Sequence, residues 1–291
     1  LAHAVKKVFL QLDTDPHPSP FDAIVAEDAG VDVLLSHGSV TPDEVRDLVQ
    51  GAFFTRAPGD PSMAVWIGGS DVAVGEQVLD AVQRAYFGPF RLSTMLDSDG
   101  CNTTSATAIA QIEKALDLRG RRAVILGVGP VGLRSAALLE QEGCEVLATT
   151  IPADVLETDS YRRPRGLEVA EQLGIEAREA ADRADMEAAL EGANIVLAAG
   201  PAGVQVLRKE VWSSNPSIEV LADYNAAEPL GIEGVEVGDD LVEREGKLVL
   251  GAIGIGGQKM KVHKACVGRL FERSDLVLNV DGVYAVAKEI V

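Results

Sequence analysis

The sequence predicts an α/β protein built on parallel sheets, and three observations carry that reading. Short apolar runs alternate with helix-length stretches, as in repeated βαβ units. Hydrophobic residues make up 47% of the chain but aromatics only 4%. Cores made mostly of Ala, Val, Leu and Ile suit strands buried on both faces. A glycine-rich loop separates one apolar run from the helix pattern that follows it. At 291 residues the chain has room for one large domain or two of ordinary size.

Taken in order, Val8-Phe9-Leu10-Gln11-Leu12 reads as the first strand. It runs into a loop at Asp13-Thr14-Asp15-Pro16, because prolines follow at 16, 18 and 20. A helix is expected over 21–27 and a strand over 31–35. Thr41-Pro42-Asp43-Glu44 reads as a helix start, with Thr as N-cap, Pro at the first helical position and Glu44 three residues past the cap. Ala64-Val65-Trp66-Ile67 is a strand and 71–86 a helix. Residues 87–105 are polar and turn-rich, and a helix leads away over 106–116. Arg119-Gly120-Arg121-Arg122 is a charged hinge. Beyond it, strands are expected at 123–126, 145–150, 195–199, 220–223 and 247–252, with a helix over 133–142. Residues 151–166 read as irregular and hold Arg162, Arg163 and Arg165. Gly254-Ile255-Gly256-Gly257 reads as a loop before a helix over 259–271, and a helix over 283–290 closes the chain.

The formal net charge of -19 argues against nucleic acid and against an anionic membrane surface as partners. An anionic ligand must then be captured locally, by backbone N–H groups and a few lysines. Cys101, Cys144 and Cys266 are sparse and odd in number, which argues against a disulfide scaffold or a zinc site and fits the cytoplasm. No apolar run approaches the ~20 residues of a spanning helix, and the first residues lack the pattern of a signal peptide. His17, His37 and His263 have no spacing that suggests a metal, and none is expected.

Gly127-Val128-Gly129-Pro130-Val131-Gly132 follows a strand and opens a helix. That context turns a weak glycine pattern into the fingerprint of a dinucleotide-binding Rossmann unit. The first glycine permits the tight turn, the second lets the pyrophosphate approach the backbone, and the third lets helix and strand pack closely. The N–H groups and dipole of the helix then hold the phosphates without a basic surface. An acidic residue at the end of the next strand would mark NAD, but that strand ends Thr149-Thr150-Ile151-Pro152. Thr150 is a candidate for the ribose, and the three arginines are candidates for a 2′-phosphate, so NADP and NAD both stay open. Ala199, Gly200 and Asn225 lie at carboxyl ends of strands, where ligands of open α/β sheets bind.

Several longer segments resemble one family. They are Phe87-Gly88-Pro89-Phe90-Arg91, Met95-Leu96-Asp97-Ser98, Asn102-Thr103-Thr104, Gly129-Pro130-Val131-Gly132, Ala222-Asp223-Tyr224-Asn225-Ala226 and Gly251-Ala252-Ile253-Gly254-Ile255-Gly256-Gly257. The chain is similar along nearly its whole length to the NAD(P)-dependent methylenetetrahydromethanopterin dehydrogenases of methylotrophic bacteria. The resemblance implies two α/β domains with a cleft between them, the second a Rossmann-type parallel sheet, in a homo-oligomer. A pterin-binding domain is expected over 1–118 plus 268–291 and an NAD(P)-binding domain over 119–267. The implied reaction is hydride transfer from the methylene group of a tetrahydromethanopterin derivative to NAD(P)+. Where an NADP-specific member of the family has Gly-Arg, this chain has Thr150-Ile151.

Lys259 is the first candidate for a functional side chain. It reads as a lysine near a positive helix end, a local cost that often marks function. By resemblance it matches the lysine at the pterin's reacting ring, and Gly256 joins the cofactor set. Asp97, Asn102 and Thr103 offer the acceptors and donors a pterin amide and amine want, though such residues also make turns and caps. Asp13 and Asp15 are candidates for stabilising a forming cation, or for an Asx-turn. Two other readings stay open: a methylenetetrahydrofolate dehydrogenase, and an NAD(P)-binding sensor without catalysis.

Overall fold

The computed structural model describes residues 5–156 and 165–291. The chain begins with β1 (Val8–Asp13), α1 (Pro20–Asp28), β2 (Val33–His37), α2 (Val45–Phe53), β3 (Met63–Gly68) and α3 (Val72–Ala85). It continues through β4 (Ser93–Leu96), a 3-10 turn at Ser98–Gly100, α4 (Cys101–Ala115), β5 (Arg122–Leu126), α5 (Pro130–Gln141) and β6 (Glu145–Thr149). Next come α6 (Ala153–Leu156), α7 (Arg165–Leu173), β7 (Ala177–Arg178), α8 (Arg183–Ala188), β8 (Ile195–Ala198) and α9 (Lys209–Ser214). The last elements are β9 (Val220–Asp223), β10 (Asp240–Arg244), β11 (Lys247–Leu250), α10 (Ala252–Arg269), β12 (Val277–Leu278) and α11 (Val280–Ile290).

Contacts divide the chain into two compact units, Leu1–Thr103 with Met260–Ile290, and Thr104–Lys259 with Val291. The expected limits at 118/119 and 267/268 differ from these. Most of α4 belongs to the second unit because Ser105 bonds to Val131 and Gln111 to Asp240. The first unit holds a five-stranded sheet in the order β12-β4-β3-β1-β2, all parallel. Every residue of β1 and β3 is buried, which explains their nearly unbroken apolar sequences. From β2 inward, the order is that of a doubly wound sheet whose direction of growth reverses beside β1. Its core packs Leu12, Val65 and Ile67 against Val78 and Val82 of α3. Burying each such side chain contributes about 1.5–3 kcal/mol.

The second unit holds seven strands in the order β10-β11-β9-β8-β5-β6-β7, parallel except for β10 at the edge. Counted from β5, this is the Rossmann order 3-2-1-4-5-6 with one antiparallel strand added. The growth direction reverses between β5 and β8, whose register pairs Leu126 with Ala198. The expected α/β class with a Rossmann-type parallel sheet is therefore the observed one.

Several local expectations need correction. The helix expected at Thr41 starts at Val45. Glu44 accepts from both the Thr41 amide and hydroxyl, at 3.0 and 2.8 Å, so the threonine donates instead of capping. Segment 87–105 is not all loop. It contains β4, whose polar Ser93 donates to the Arg273 carbonyl at 2.6 Å and accepts from the Leu276 amide. Helix α4 then starts at Cys101 and α10 at Ala252, both earlier than expected. Gly251 and Gly254 serve close packing: an added Cβ would lie 2.2 Å from the Glu236 carbonyl oxygen and 2.0 Å from that of Asp239. Within 151–166, α6 is helical and Arg165 opens α7, while Arg162 and Arg163 lie outside the described residues.

Candidate functional site

The glycine loop leaves the carboxyl end of β5, at the reversal point of the seven-stranded sheet. Its three glycines are required for three different reasons. Gly127 has φ +122°, and an added Cβ would lie 2.3 Å from the Ala199 carbonyl oxygen. Gly132, in the first turn of α5, would place a Cβ 2.3 Å from the Gly127 carbonyl oxygen, so it sets how closely helix and strand pack. Gly129 differs from both. It caps α5 in extended conformation, and an added Cβ would meet nothing nearer than the Ala199 oxygen at 3.9 Å. Among the described residues the space in front of it is open, as a ligand approaching the backbone requires. Pro130 takes the first helical position, where the missing N–H costs nothing. Behind it, the N–H groups of Val131 and Gly132 belong to a helix end that lacks intrahelical acceptors.

Ala199 and Gly200 follow β8 beside this loop, and the Ala199 amide donates to Leu126 at 2.8 Å. Gly200 packs tightly, with an added Cβ 2.8 Å from Val206 Cγ1. Two other expected cofactor contacts have work of their own. Thr150 is 0% exposed, and its hydroxyl accepts from the Ala180 amide at 3.0 Å. Asn225 turns both ends of its amide onto its own loop, donating to the Pro229 carbonyl at 3.2 Å and accepting from the Ala227 amide at 2.9 Å. Both side chains are thus engaged within the second unit. Gly256 lies inside α10, and an added Cβ there would meet nothing within 4 Å. A cavity of about 470 Å³ opens beyond the ends of β6 and β7, lined by Ala153, Glu179, Ala180 and Ala181.

Sequence reasoning passed over Asp223 as a chemical group. It sits at the carboxyl end of β9, accepting from the Asn225 amide at 2.9 Å and the Ile232 amide at 2.7 Å. Burial pushes its pKa up to about 6, against the pull of these backbone N–H bonds. A carboxylate at the end of an apolar strand was the available signal.

At the carboxyl edge of the first unit's sheet, Asp13 and Asp15 follow β1 and Asp97 follows β4. Asp13 accepts from the Asp15 amide at 2.8 Å and the Ser19 amide at 3.0 Å, an Asx-turn that leads into α1. Asp15 is half-buried and takes both the amide and hydroxyl of Ser70, at 3.0 and 2.8 Å, joining the loops after β1 and β3. Asp97 is 3% exposed. Its two oxygens accept from the Thr103 amide at 2.9 Å and the Thr103 hydroxyl at 2.6 Å. Asn102 donates to the Leu96 carbonyl at 2.6 Å. Asp97 and Thr103 thus satisfy each other at the entry to α4, and Asn102 holds the end of β4.

Lys259 also needs a corrected argument. It lies about two turns inside α10, beyond the reach of the helix-end charge, so its placement carries no dipole cost. It is half-buried, and its Nζ donates to Thr104 Oγ1 at 2.9 Å. His263 is buried with its ring stacked on Trp66, centroids 4.8 Å apart. The three cysteines are buried, and none is in a disulfide. Among the described residues, no group of three or more His, Cys, Asp or Glu side chains is placed to hold a metal ion.

Fold and site together define an α/β protein with a Rossmann-type dinucleotide loop and a second doubly wound unit. Residues 20–99 match the family model described as methylene-tetrahydromethanopterin dehydrogenase, N-terminal. The bifunctional protein MdtA of Methylorubrum extorquens is 43% identical over 98% of this chain and 99% of that one. The NAD(P)-dependent methylenetetrahydromethanopterin dehydrogenase of the same organism is 32% identical, covering 94% and 95%. The chain belongs to the methylenetetrahydromethanopterin dehydrogenase family. Among solved structures, the shikimate 5-dehydrogenase of Listeria monocytogenes, in complex with shikimate and NAD, is similar in fold. Its TM-score is 0.50 at 15% identity, over 97% of this chain and 96% of that one.

Proposed function

We propose that this chain oxidises the methylene group of methylenetetrahydromethanopterin to the methenyl cation, with NAD(P)+ as the hydride acceptor. The observation that carries the reading is the cradle at Gly129, open in front of the first turn of α5 in a chain of this family. Gly127, Gly129 and Gly132 fit a pyrophosphate, because the two outer glycines are sterically obligatory and the middle one is left uncovered. Bound there, NAD(P)+ supplies an acceptor for the hydride. Ala199 and Gly200 flank its path along the carboxyl ends of the strands. The adenosine end falls to the cavity at Glu179.

The hydride leaves a carbon held between two nitrogens, whose lone pairs stabilise the product cation. The reaction therefore needs no obligatory general base, and the protein's work is orientation and electrostatics. Lys259 is assigned to the reacting ring, its amine steadied by Thr104. Asp13 and Asp15 supply negative charge at the carboxyl edge of the first sheet. Asp97, Asn102 and Thr103 shape the entry to α4 from which Thr104 projects. Thr150 and Asn225 are left out of the set that touches the cofactor. The active form is assigned as a homo-oligomer, which size-exclusion chromatography with light scattering checks.

Initial rates of NADH and NADPH formation test the reading, with methylenetetrahydromethanopterin and methylenetetrahydrofolate supplied in turn. Reduction with the methanopterin substrate is expected. Reduction with the folate alone would move the substrate assignment. A folded chain that binds NADH yet oxidises neither pterin would overturn the proposal.

A further inference from the structure

We propose that Ser105 and Tyr224 are positioning residues for the dinucleotide, acting through the first turn of α5. The inference rests on the dinucleotide reading of the glycine loop. Both residues belong to the second unit, Ser105 in α4 and Tyr224 directly after β9. Ser105 Oγ donates to the Val131 carbonyl at 3.0 Å, and Ser135 Oγ donates to the same oxygen at 2.9 Å. The Tyr224 hydroxyl lies 2.7 Å from Ser135 Oγ. A serine hydroxyl has one proton, and that of Ser135 goes to Val131, so Tyr224 is the donor in this pair. Burial pushes the Tyr224 pKa up, so the phenol keeps that proton at neutral pH.

Val131 is the second residue of α5, between Pro130 and Gly132. The N–H groups of a first helical turn point out of the helix end, while its carbonyls point along the helix the other way. A carbonyl gripped from behind by two hydroxyls therefore fixes the tilt of the turn without covering its donor face. An ordinary carbonyl at this position accepts one backbone N–H. Here additional donors come from α4 and, through Ser135, from the end of β9. Ser105 and Ser135 are fully buried, so water does not replace a hydroxyl that is removed. Ser105 also adjoins Thr104, which accepts from Lys259. One short stretch of α4 thus registers both the pyrophosphate helix and the amine assigned to the substrate ring.

The test uses the full chain with Ser105→Ala, Tyr224→Phe and the two combined. Binding of NADH and of ADP-ribose is measured by titration, alongside Tm and steady-state kinetics. Each single variant is expected to weaken ADP-ribose about fivefold, the usual loss for one hydrogen bond. The KM for NAD(P)+ rises with it, while the pterin KM stays at its wild-type value and the Tm falls by only a few degrees. Ser105 acts on the Val131 carbonyl directly and Tyr224 through Ser135, so the double variant loses less than the product of the single losses. Ser105→Thr, which keeps the hydroxyl, restores binding. Native affinity for ADP-ribose in both single variants would overturn the assignment. So would a parallel worsening of Tm, pterin KM and dinucleotide binding, the mark of a merely structural role. A wild-type chain that binds ADP-ribose but oxidises no pterin removes the dehydrogenase reading and leaves the binding arms to decide this one. A wild-type chain that binds neither NADH nor ADP-ribose overturns both.

Discussion

Gly127 and Gly129 stand two positions apart, and a single added methyl group should act on them in opposite ways. At Gly127 it meets a backbone oxygen at 2.3 Å in a conformation with φ +122°. Gly127→Ala is expected to cost about 3 kcal/mol of stability in urea unfolding. At Gly129 the backbone is ordinary and the space is open. Gly129→Ala should keep the wild-type Tm and weaken NADH binding about tenfold, as the methyl holds the phosphate off its N–H donors. If Gly129→Ala binds NADH as the wild type does, the cradle lies elsewhere. The same scale governs cofactor choice. Among the described residues, Glu179 is the charged one lining the cavity beyond β6 and β7, and a carboxylate repels a 2′-phosphate. Glu179→Arg is expected to raise the NADP+ to NAD+ ratio of kcat/KM about tenfold. An unchanged ratio would place the adenosine away from that cavity.

At the scale of the element, Asp223 ties the end of β9 to the loop that returns at Ile232. Its pKa rises from an ordinary 3.8 to about 6, so between these values the folded chain binds more protons than the unfolded one. Its contribution to stability is thus fully present below pH 4 and is lost as pH rises to about 6, a change of no more than about 3 kcal/mol. The stability difference between wild type and Asp223→Asn, followed by urea unfolding across that window, should fall with pH. A difference that rises with pH would mean that the backbone N–H bonds outweigh burial. Elements also divide by how legible they are in sequence. β1, β3, β5, β8 and β9 are readable because burial on both faces leaves them apolar along most of their length. β4 is hidden because Ser93 and Thr94 are polar, and Ser93 finds its partners at Arg273 and Leu276, which sequence does not place beside it. β7 and β12 have two residues each, too few to show a period. The start of α10 is obscured by glycines that resemble a turn but serve close packing. The glycine loop was legible because its signal is local. The bonds between Asp97 and Thr103, and from Asn102 to the Leu96 carbonyl, were not, since residue type alone does not say whether a polar group faces a ligand or a neighbour.

Over the whole molecule, the dominant electrostatic fact is a net charge of -19. Several ion pairs among the described residues are exposed, such as Lys209–Glu245 at 2.8 Å and Arg208–Glu210 at 2.8 Å, and contribute little each. Self-repulsion should then outweigh them, so raising NaCl from low to near-molar concentration is expected to raise the Tm by a few degrees. A Tm that falls with salt would show that the ion pairs matter more than the net charge. The acidity also explains why the dinucleotide reading depends on backbone donors: the charged surface repels a phosphate, whereas the first turn of α5 attracts one.

The buried cysteines make the chain a reporter of its own opening. A disulfide reagent such as DTNB reacts with thiolate, and burial holds the Cys144 pKa up at about 11 and that of Cys266 at about 12. Near neutral pH, modification must then await transient unfolding, so its rate counts openings. Cys101 and Cys266 lie in one unit and Cys144 in the other, so site-resolved mass spectrometry reads the two separately. NADH should slow labelling at Cys144 by a factor of one plus the ratio of its free concentration to Kd. Any change at Cys101 and Cys266 would then measure how far that protection spreads from one half of the chain to the other.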